Sequence, residues 1–182
     1  MKNKTILITG ATGFLGSYLL ESFISFNFNV IILKRSNSST LRINHLLNNV
    51  SYYNVDLLSS LDDVFVQNKI DIIVHTACSY GRSNESLEEI INTNLILGIN
   101  LMELGIKFKV KTFINTDSLL PRNVNSYSLS KAQFTDWLKI NSSKIQVINL
   151  KIEHMYGPKD DNKKFLPWLI NEMRSGTENI NL

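Results

Sequence analysis

Tyr127 and Lys131 stand four residues apart in Tyr127-Ser128-Leu129-Ser130-Lys131, a spacing that puts a phenol and an ammonium on one face of a helix. A phenol with its ordinary pKa near about 10 handles protons poorly at neutral pH, and a neighbouring cation favours its ionised form. Lys131 is placed to supply that cation, although the pair taken alone also reads as two surface residues at helical spacing. Upstream, Phe113-Ile114-Asn115-Thr116-Asp117-Ser118 leads an apolar run into hydroxyls, and Thr116 is expected to donate a hydrogen bond to a substrate oxygen. A second group of residues has a different chemistry. Thr9-Gly10-Ala11-Thr12-Gly13-Phe14-Leu15-Gly16 lies between an apolar run and a segment of helical period. In that context the glycines permit a tight turn, close backbone approach to a pyrophosphate and close packing of helix on strand. Gly10, Thr12, Gly13, Phe14, Leu15 and Gly16 are therefore the candidate dinucleotide turn.

Which dinucleotide fits depends on the residues after the second apolar run, Lys34-Arg35-Ser36. An acidic residue there would accept hydrogen bonds from an unphosphorylated ribose, whereas cations suit a ribose phosphate. Lys34, Arg35 and Ser36 thus favour NADP(H), with NAD(H) possible; the same charges also read as solvated loop residues. Asp56 and Leu57, just beyond the third apolar run, join the candidate cofactor set, Asp56 either as a partner for the adenine amino group or as a turn former.

These groups need a frame that brings them to one edge. Apolar runs of four to six residues alternate with longer helical segments, the pattern of a parallel sheet covered on both faces. Strands are expected near Thr5–Thr9, Val30–Leu33, Val50–Asn54, Ile72–His75, Thr112–Asn115 and Ile145–Lys151. Helices are expected near Phe14–Phe26, Leu41–Leu47, Leu61–Gln67, Glu85–Leu104, Ser126–Ile140 and Lys164–Ser175. Right-handed crossovers make a doubly wound, Rossmann-type α/β fold with strand order 3-2-1-4-5-6 the simplest arrangement. The first domain is expected to span 1–156, and 157–182 to begin a second, incomplete substrate-binding domain after the Gly157-Pro158 turn.

Composition narrows the partners. The 182 residues are 43% hydrophobic and carry 19 Lys and Arg against 16 Asp and Glu, a net charge of +3 without a basic block, which argues against nucleic acid. Cys78 has no second cysteine, so neither a disulfide framework nor a Cys-based zinc site is expected, and no metal site is assigned. No apolar stretch reaches the roughly 20 residues of a membrane span. A cytoplasmic location is the expectation.

Together the dinucleotide turn, the strand-end hydroxyl and the Tyr/Lys helix resemble the extended short-chain dehydrogenase/reductases, the nucleotide-sugar epimerase/dehydratase group. Further matches are His75-Thr76-Ala77, Asn94-Leu95-Ile96-Leu97-Gly98 and Tyr156-Gly157-Pro158. The resemblance implies Tyr127 as general acid/base, Lys131 as the group that lowers its pKa and binds the nicotinamide ribose, and Thr116 as the triad hydroxyl. It implies that Asn94 supports the lysine through water, and that Thr76 and Ala77 line the cofactor. It also implies a nucleoside-diphosphate sugar as substrate, and a homodimer through the helices near 85–104 and 126–140.

Dehydratases of the group carry Asp-Glu after the strand hydroxyl, whereas here Asp117-Ser118 follows Thr116, so the Glu is missing. The short connection from Thr116 to Tyr127 departs from the epimerases. Both features, with Glu153-His154-Met155-Tyr156-Gly157, look most like the reductases that make CDP-dideoxysugars for surface polysaccharides. The expectation is therefore NADPH-dependent reduction of a 4-keto-6-deoxy nucleotide sugar, with Ser118, Glu153 and His154 near the substrate. An epimerase, a 4,6-dehydratase and a non-catalytic dinucleotide-binding remnant are the alternatives. Family members usually continue well past the Tyr-Gly-Pro turn, so the chain is expected to be either a piece of a longer product or a truncated relative.

Overall fold

In the computed structural model, which describes residues 4–56, 58–82, 84–162 and 164–176, six strands lie parallel in the order β3-β2-β1-β4-β5-β6. They are β1 (Thr5–Thr9), β2 (Asn29–Lys34), β3 (Ser51–Asn54), β4 (Ile72–His75), β5 (Thr112–Ser118) and β6 (Gln146–Ile152). The helices are α1 (Phe14–Ser25), α2 (Leu61–Gln67), α3 (Leu87–Ile91), α4 (Leu97–Lys107), α5 (Ser126–Ile140) and α6 (Phe165–Arg174). The doubly wound order is the expected one. It follows from apolar strands too short to fold alone, each returned to the sheet by a crossover segment.

Alternation along the strands assigns the two faces. Ile6, Ile8, Val30, Ile32 and Val74 pack with Leu20 of α1 and with Ile43. Leu7, Ile31, Leu33, Ile73 and Phe113 point the other way, against Leu61, Val64 and Phe65 of α2, Leu101, Met102 and Leu104 of α4, and Phe134 and Leu138 of α5.

Three elements differ from expectation. The segment expected as a helix at Leu41–Leu47 forms a 3₁₀ helix at Asn44–Asn49, where three asparagines offer the backbone competing hydrogen bonds. The helix expected at Glu85–Leu104 starts at a Ser86 capping box, with Glu89 N–H donating to Ser86 Oγ at 3.1 Å, and contains a π-helical turn at Asn92–Ile96 between α3 and α4. β5 extends to Ser118, paired with β6 as far as Ser118 opposite Ile152. Its buried polar residues find side-chain partners, so the ladder continues past the apolar run.

The chain divides into two compact units, Met1–Ile152 and Glu153–Leu182, where the sequence suggested an edge at Gly157. In the second unit α6 is a single amphipathic helix that leaves Phe165, Ile170 and Met173 exposed. No helix among the described residues is long and apolar enough to cross a membrane.

Candidate active site

Gly10, at the end of β1, has φ +71°, and a Cβ there would stand 2.6 Å from Ala77 N and 2.7 Å from Thr76 Oγ1. A Cβ on Gly16 would collide with the Gly10 carbonyl, so α1 can lie this close to the turn only with glycine at that position. Gly13 N–H donates to Gly10 O at 2.9 Å and leads directly into α1, whose first turn carries no acidic side chain. That leaves the amino terminus of a twelve-residue helix open to a diphosphate. Thr76 and Ala77 hold the turn from the β4 side: Thr76 Oγ1 donates to Thr9 O at 2.7 Å and Ala77 N–H donates to Thr9 Oγ1 at 3.2 Å. Thr12, Phe14 and Leu15 are half-buried beside them and Gly13 is exposed.

At the end of β2, Lys34 Nζ donates to Asn54 Oδ1 at 2.7 Å and lies 5.4 Å from the Tyr52 ring centre. Asp56 Oδ1 accepts from Ser36 N at 2.9 Å and from Ser36 Oγ at 3.1 Å, while Arg35 is exposed. The rim thus contains a carboxylate that lies 20 residues along the chain from the Ser36 it binds. Leu57 lies outside the described residues.

Across the edge, Tyr127, Lys131 and Thr135 form a stripe along α5, one turn apart. The helix begins at Asn125, whose side chain accepts from Ser128 N–H at 2.8 Å in a second capping box. The Ser118 hydroxyl is among the groups that act on the Tyr127 phenol, favouring its ionised form. Thr116 Oγ1 instead donates to His75 O at 3.1 Å. Burial is the main reason the phenol is pushed up to about 12; the thiol of Cys78 adds to the rise, the Ser118 hydroxyl opposes it, Asp117 raises it and Arg82 lowers it. The lowering expected from Lys131 does not appear, because that ammonium is itself desolvated and its own pKa is driven down by burial, against the opposing influence of Cys78 and Asp117. Lys131 Nζ is buried and bonds to no described residue.

Asn94 sits fully buried in the π turn, which rotates it inward. Its Oδ1 accepts from Ser79 N–H at 2.7 Å, and its Nδ2 donates to Ser79 O at 2.8 Å and to Ser130 Oγ at 3.0 Å. It therefore ties the β4 loop to the residue before Lys131. That loop brings three groups the sequence did not single out. The Tyr80 ring lies 5.0 Å from the Tyr127 ring, Arg82 lies 5.6 Å from the Tyr80 ring centre, and the Cys78 thiol acts on both phenols. Burial raises the Tyr80 phenol far above its usual range.

Beneath the site, Thr9, His75, Asn115 and Asn149 are register partners across β1, β4, β5 and β6. Thr9 Oγ1 and His75 Nδ1 are 2.8 Å apart, and Asn115 Nδ2 donates to Asn149 Oδ1 at 2.7 Å. Burial, reinforced by the charge of Lys131, pushes His75 down to about 3, so the imidazole is neutral. The only signal for this row in the sequence is a polar residue at the same position of otherwise apolar strands. Glu153 and His154 belong to the second unit, where they are exposed, and not to the unit that carries the other candidates.

The residues present fit a dinucleotide: a strand-to-helix turn that admits no Cβ, an uncharged helix start, and a buried amine with no bonded partner among the described residues. The NAD dependent epimerase/dehydratase family matches residues 6–182. The CDP-abequose synthase of Salmonella muenchen is 34% identical over 97% of this chain and 61% of the relative. That of Salmonella typhimurium is 30% identical over 91% and 58%, and the Dictyostelium discoideum dTDP-D-glucose 4,6-dehydratase is 30% identical over 92% and 48%. The chain thus spans at most 61% of the length of these curated relatives. Among solved structures, the Bordetella bronchiseptica enzyme WbmG in complex with NAD superposes with a TM-score of 0.83 at 21% identity, covering 98% of this chain and 62% of that one. The Thermotoga maritima UDP-glucose 4-epimerase with UDP-glucose gives 0.77 at 22%, over 88% and 59%. Those likenesses carry the fold, whereas the match along nearly the whole sequence carries kinship: the chain belongs to the NAD dependent epimerase/dehydratase family.

Proposed function

We propose that this chain forms the cofactor-binding and proton-donating part of an NADPH-dependent reductase of a 4-keto-6-deoxy nucleotide sugar. The observation that carries the reading is an arrangement: half-buried Tyr127 and buried Lys131 stand one turn apart on α5, and the Lys131 amine bonds to no described residue. A bound dihydronicotinamide supplies the hydride. Tyr127 gives its proton to the carbonyl oxygen as that oxygen becomes an alcohol, and Ser118 orients the oxygen. Ser118 takes this role instead of Thr116, whose hydroxyl is spent on the His75 carbonyl. Lys131 holds the ribose hydroxyls and steadies the phenolate left behind. Asn94 keeps the β4 loop and α5 in register around it.

The similarity to two CDP-abequose synthases supports a CDP-linked sugar. A dehydratase needs an acid and a base beyond the tyrosine; the Glu is absent, and Asp117 is engaged by protein donors. Exposed Arg35, with Lys34 beside it, supports NADPH over NADH. Glu153 and His154 are proposed sugar-nucleotide contacts, and a substrate-binding portion is proposed to begin near residue 157. The reaction is placed in the cytoplasm.

A homodimer through α3, α4 and α5 completes the proposal. Ile90, Leu101, Phe134 and Leu138 are spent on the core, but Leu87, Ile91, Leu129, Trp137 and Ile140 are exposed and give these helices an apolar outer surface. Light scattering at micromolar concentration checks this, with a monomer alone excluding it. The function is tested by following NADPH oxidation with a CDP-linked 4-keto-6-deoxyhexose. The chain itself and a version extended with the carboxyl-terminal part of a CDP-abequose synthase are compared. Turnover by either supports the reading, and oxidation by neither overturns it.

A further inference from the structure

The acid after Thr116 does not point where a catalytic acid would. Asp117 lies on the same face of β5 as Phe113 and Asn115, toward α5, and is 7% exposed. Its Oδ2 accepts from Thr135 Oγ1 at 3.0 Å and from Asn149 Nδ2 at 2.9 Å, and its Oδ1 accepts from Ser118 N–H at 2.8 Å. Three donors from α5, β6 and β5 therefore converge on one carboxylate, a satisfied buried acid of the kind that is costly to disturb. Asn149 continues the chain to Asn115.

Thr135 is the third member of the α5 stripe, one turn beyond Lys131 as Lys131 is one turn beyond Tyr127. Gripping Thr135 fixes both the height and the rotation of the helix that presents the other two. The same carboxylate has an electrostatic consequence. Lys131 is buried and bonds to no described residue; Cys78 on the loop after β4 and then Asp117 on β5 favour its charged form, and the other titratable groups beside it are His75 on β4 and Tyr127 on its own helix. His75 is neutral and Tyr127 keeps its proton, which leaves Asp117 as the carboxylate of that set.

We propose that Asp117 is a positioning residue: turned into the protein, its carboxylate anchors α5 through Thr135 and stands as the internal counter-charge of the Lys131 ammonium instead of meeting the sugar. The inference gives Asp117 its importance through the reading of Tyr127 and Lys131 as the reacting pair. Its test requires neither turnover nor cofactor, so the two stand or fall separately.

The test is a carbon NMR titration of the Lys131 ε-methylene in the full chain, assigned by its loss in Lys131→Met. It is run in a Cys78→Ser background so that the thiol does not contribute. Asp117→Asn, and the smaller Asp117→Ser in case the amide does not fit, should each lower the Lys131 midpoint by roughly one pH unit or more. Thr135→Val, which removes one anchor and keeps the charge, should lower the unfolding temperature while shifting the midpoint less. A midpoint unmoved in the Asp117 variants, or moved as far by Thr135→Val, overturns the proposal, since a merely structural carboxylate would not distinguish them.

Discussion

The two faces of the sheet reach the carboxyl edge in different ways. On the α1 face, β1 and β4 are apolar to their last residue and β2 is apolar as far as Ile32, with Ile6, Ile8, Val30, Ile32 and Val74 in one cluster. Here the proposed dinucleotide site is made by the backbone itself, through a glycine turn and a helix start. On the face of α4 and α5 a polar row crosses β1, β4, β5 and β6, with Thr9, His75 and Asn115 buried, Asn149 half-buried and Asp117 above it. There the chemistry is held by side chains that need other side chains to orient them. A backbone site tolerates changes in neighbouring side chains but not an added Cβ, while a side-chain site tolerates little change in hydrogen bonding.

The sharpest way to separate the two faces is Tyr127→Phe, which removes the proton and keeps the ring. Turnover of the extended chain should fall by roughly 10²–10⁴-fold while NADPH affinity hardly changes. Retention of more than a tenth of the activity would show that the α5 face does not carry the proton.

The polar row should also give the fold an acid-sensitive component. His75 is held near 3 in the folded chain against an ordinary value of 6.5, so the unfolded chain takes up a proton that the folded one refuses. This group's contribution is therefore complete above about 6.5 and declines as pH falls toward 3, by up to about 1.4 kcal/mol for each pH unit. Denaturant midpoints measured from pH 7 to pH 4 should fall more steeply for the wild type than for His75→Asn. Parallel slopes would refute a neutral buried imidazole.

On the other face Gly10→Ala tests the backbone. The positive φ and the approach to Ala77 N should together cost about 1–3 kcal/mol, seen as a drop in melting temperature of about 2–4 °C per kcal/mol, with NADPH binding weakened in parallel. The smallest expected effect is at the rim, where Arg35→Ala should cost NADPH about tenfold in affinity and leave NADH almost unchanged. Equal losses for both cofactors would assign Arg35 to the diphosphate or to solvent.

Short-range information was enough for much of this protein. Hydrophobic period, turn residues and glycine spacing are local, and they specify six strands, their doubly wound order, the dinucleotide turn and the Tyr127/Lys131 helix start. Tertiary structure decided whatever depends on residues distant in the chain meeting at one edge. Only pairing of β5 with β6 shows that Asp117 faces Thr135 and Asn149, and only the β2 and β3 ends together place Asp56 on Ser36. The choice between Thr116 and Ser118 had the same cause. Both hydroxyls lie on the same face of β5, two residues apart, and only the meeting of the β4 and β5 ends shows that Thr116 Oγ1 donates to the His75 carbonyl. Solvation belongs to that second class as well: linear spacing places Lys131 beside Tyr127, but only the packed structure shows burial raising the phenol and lowering the ammonium.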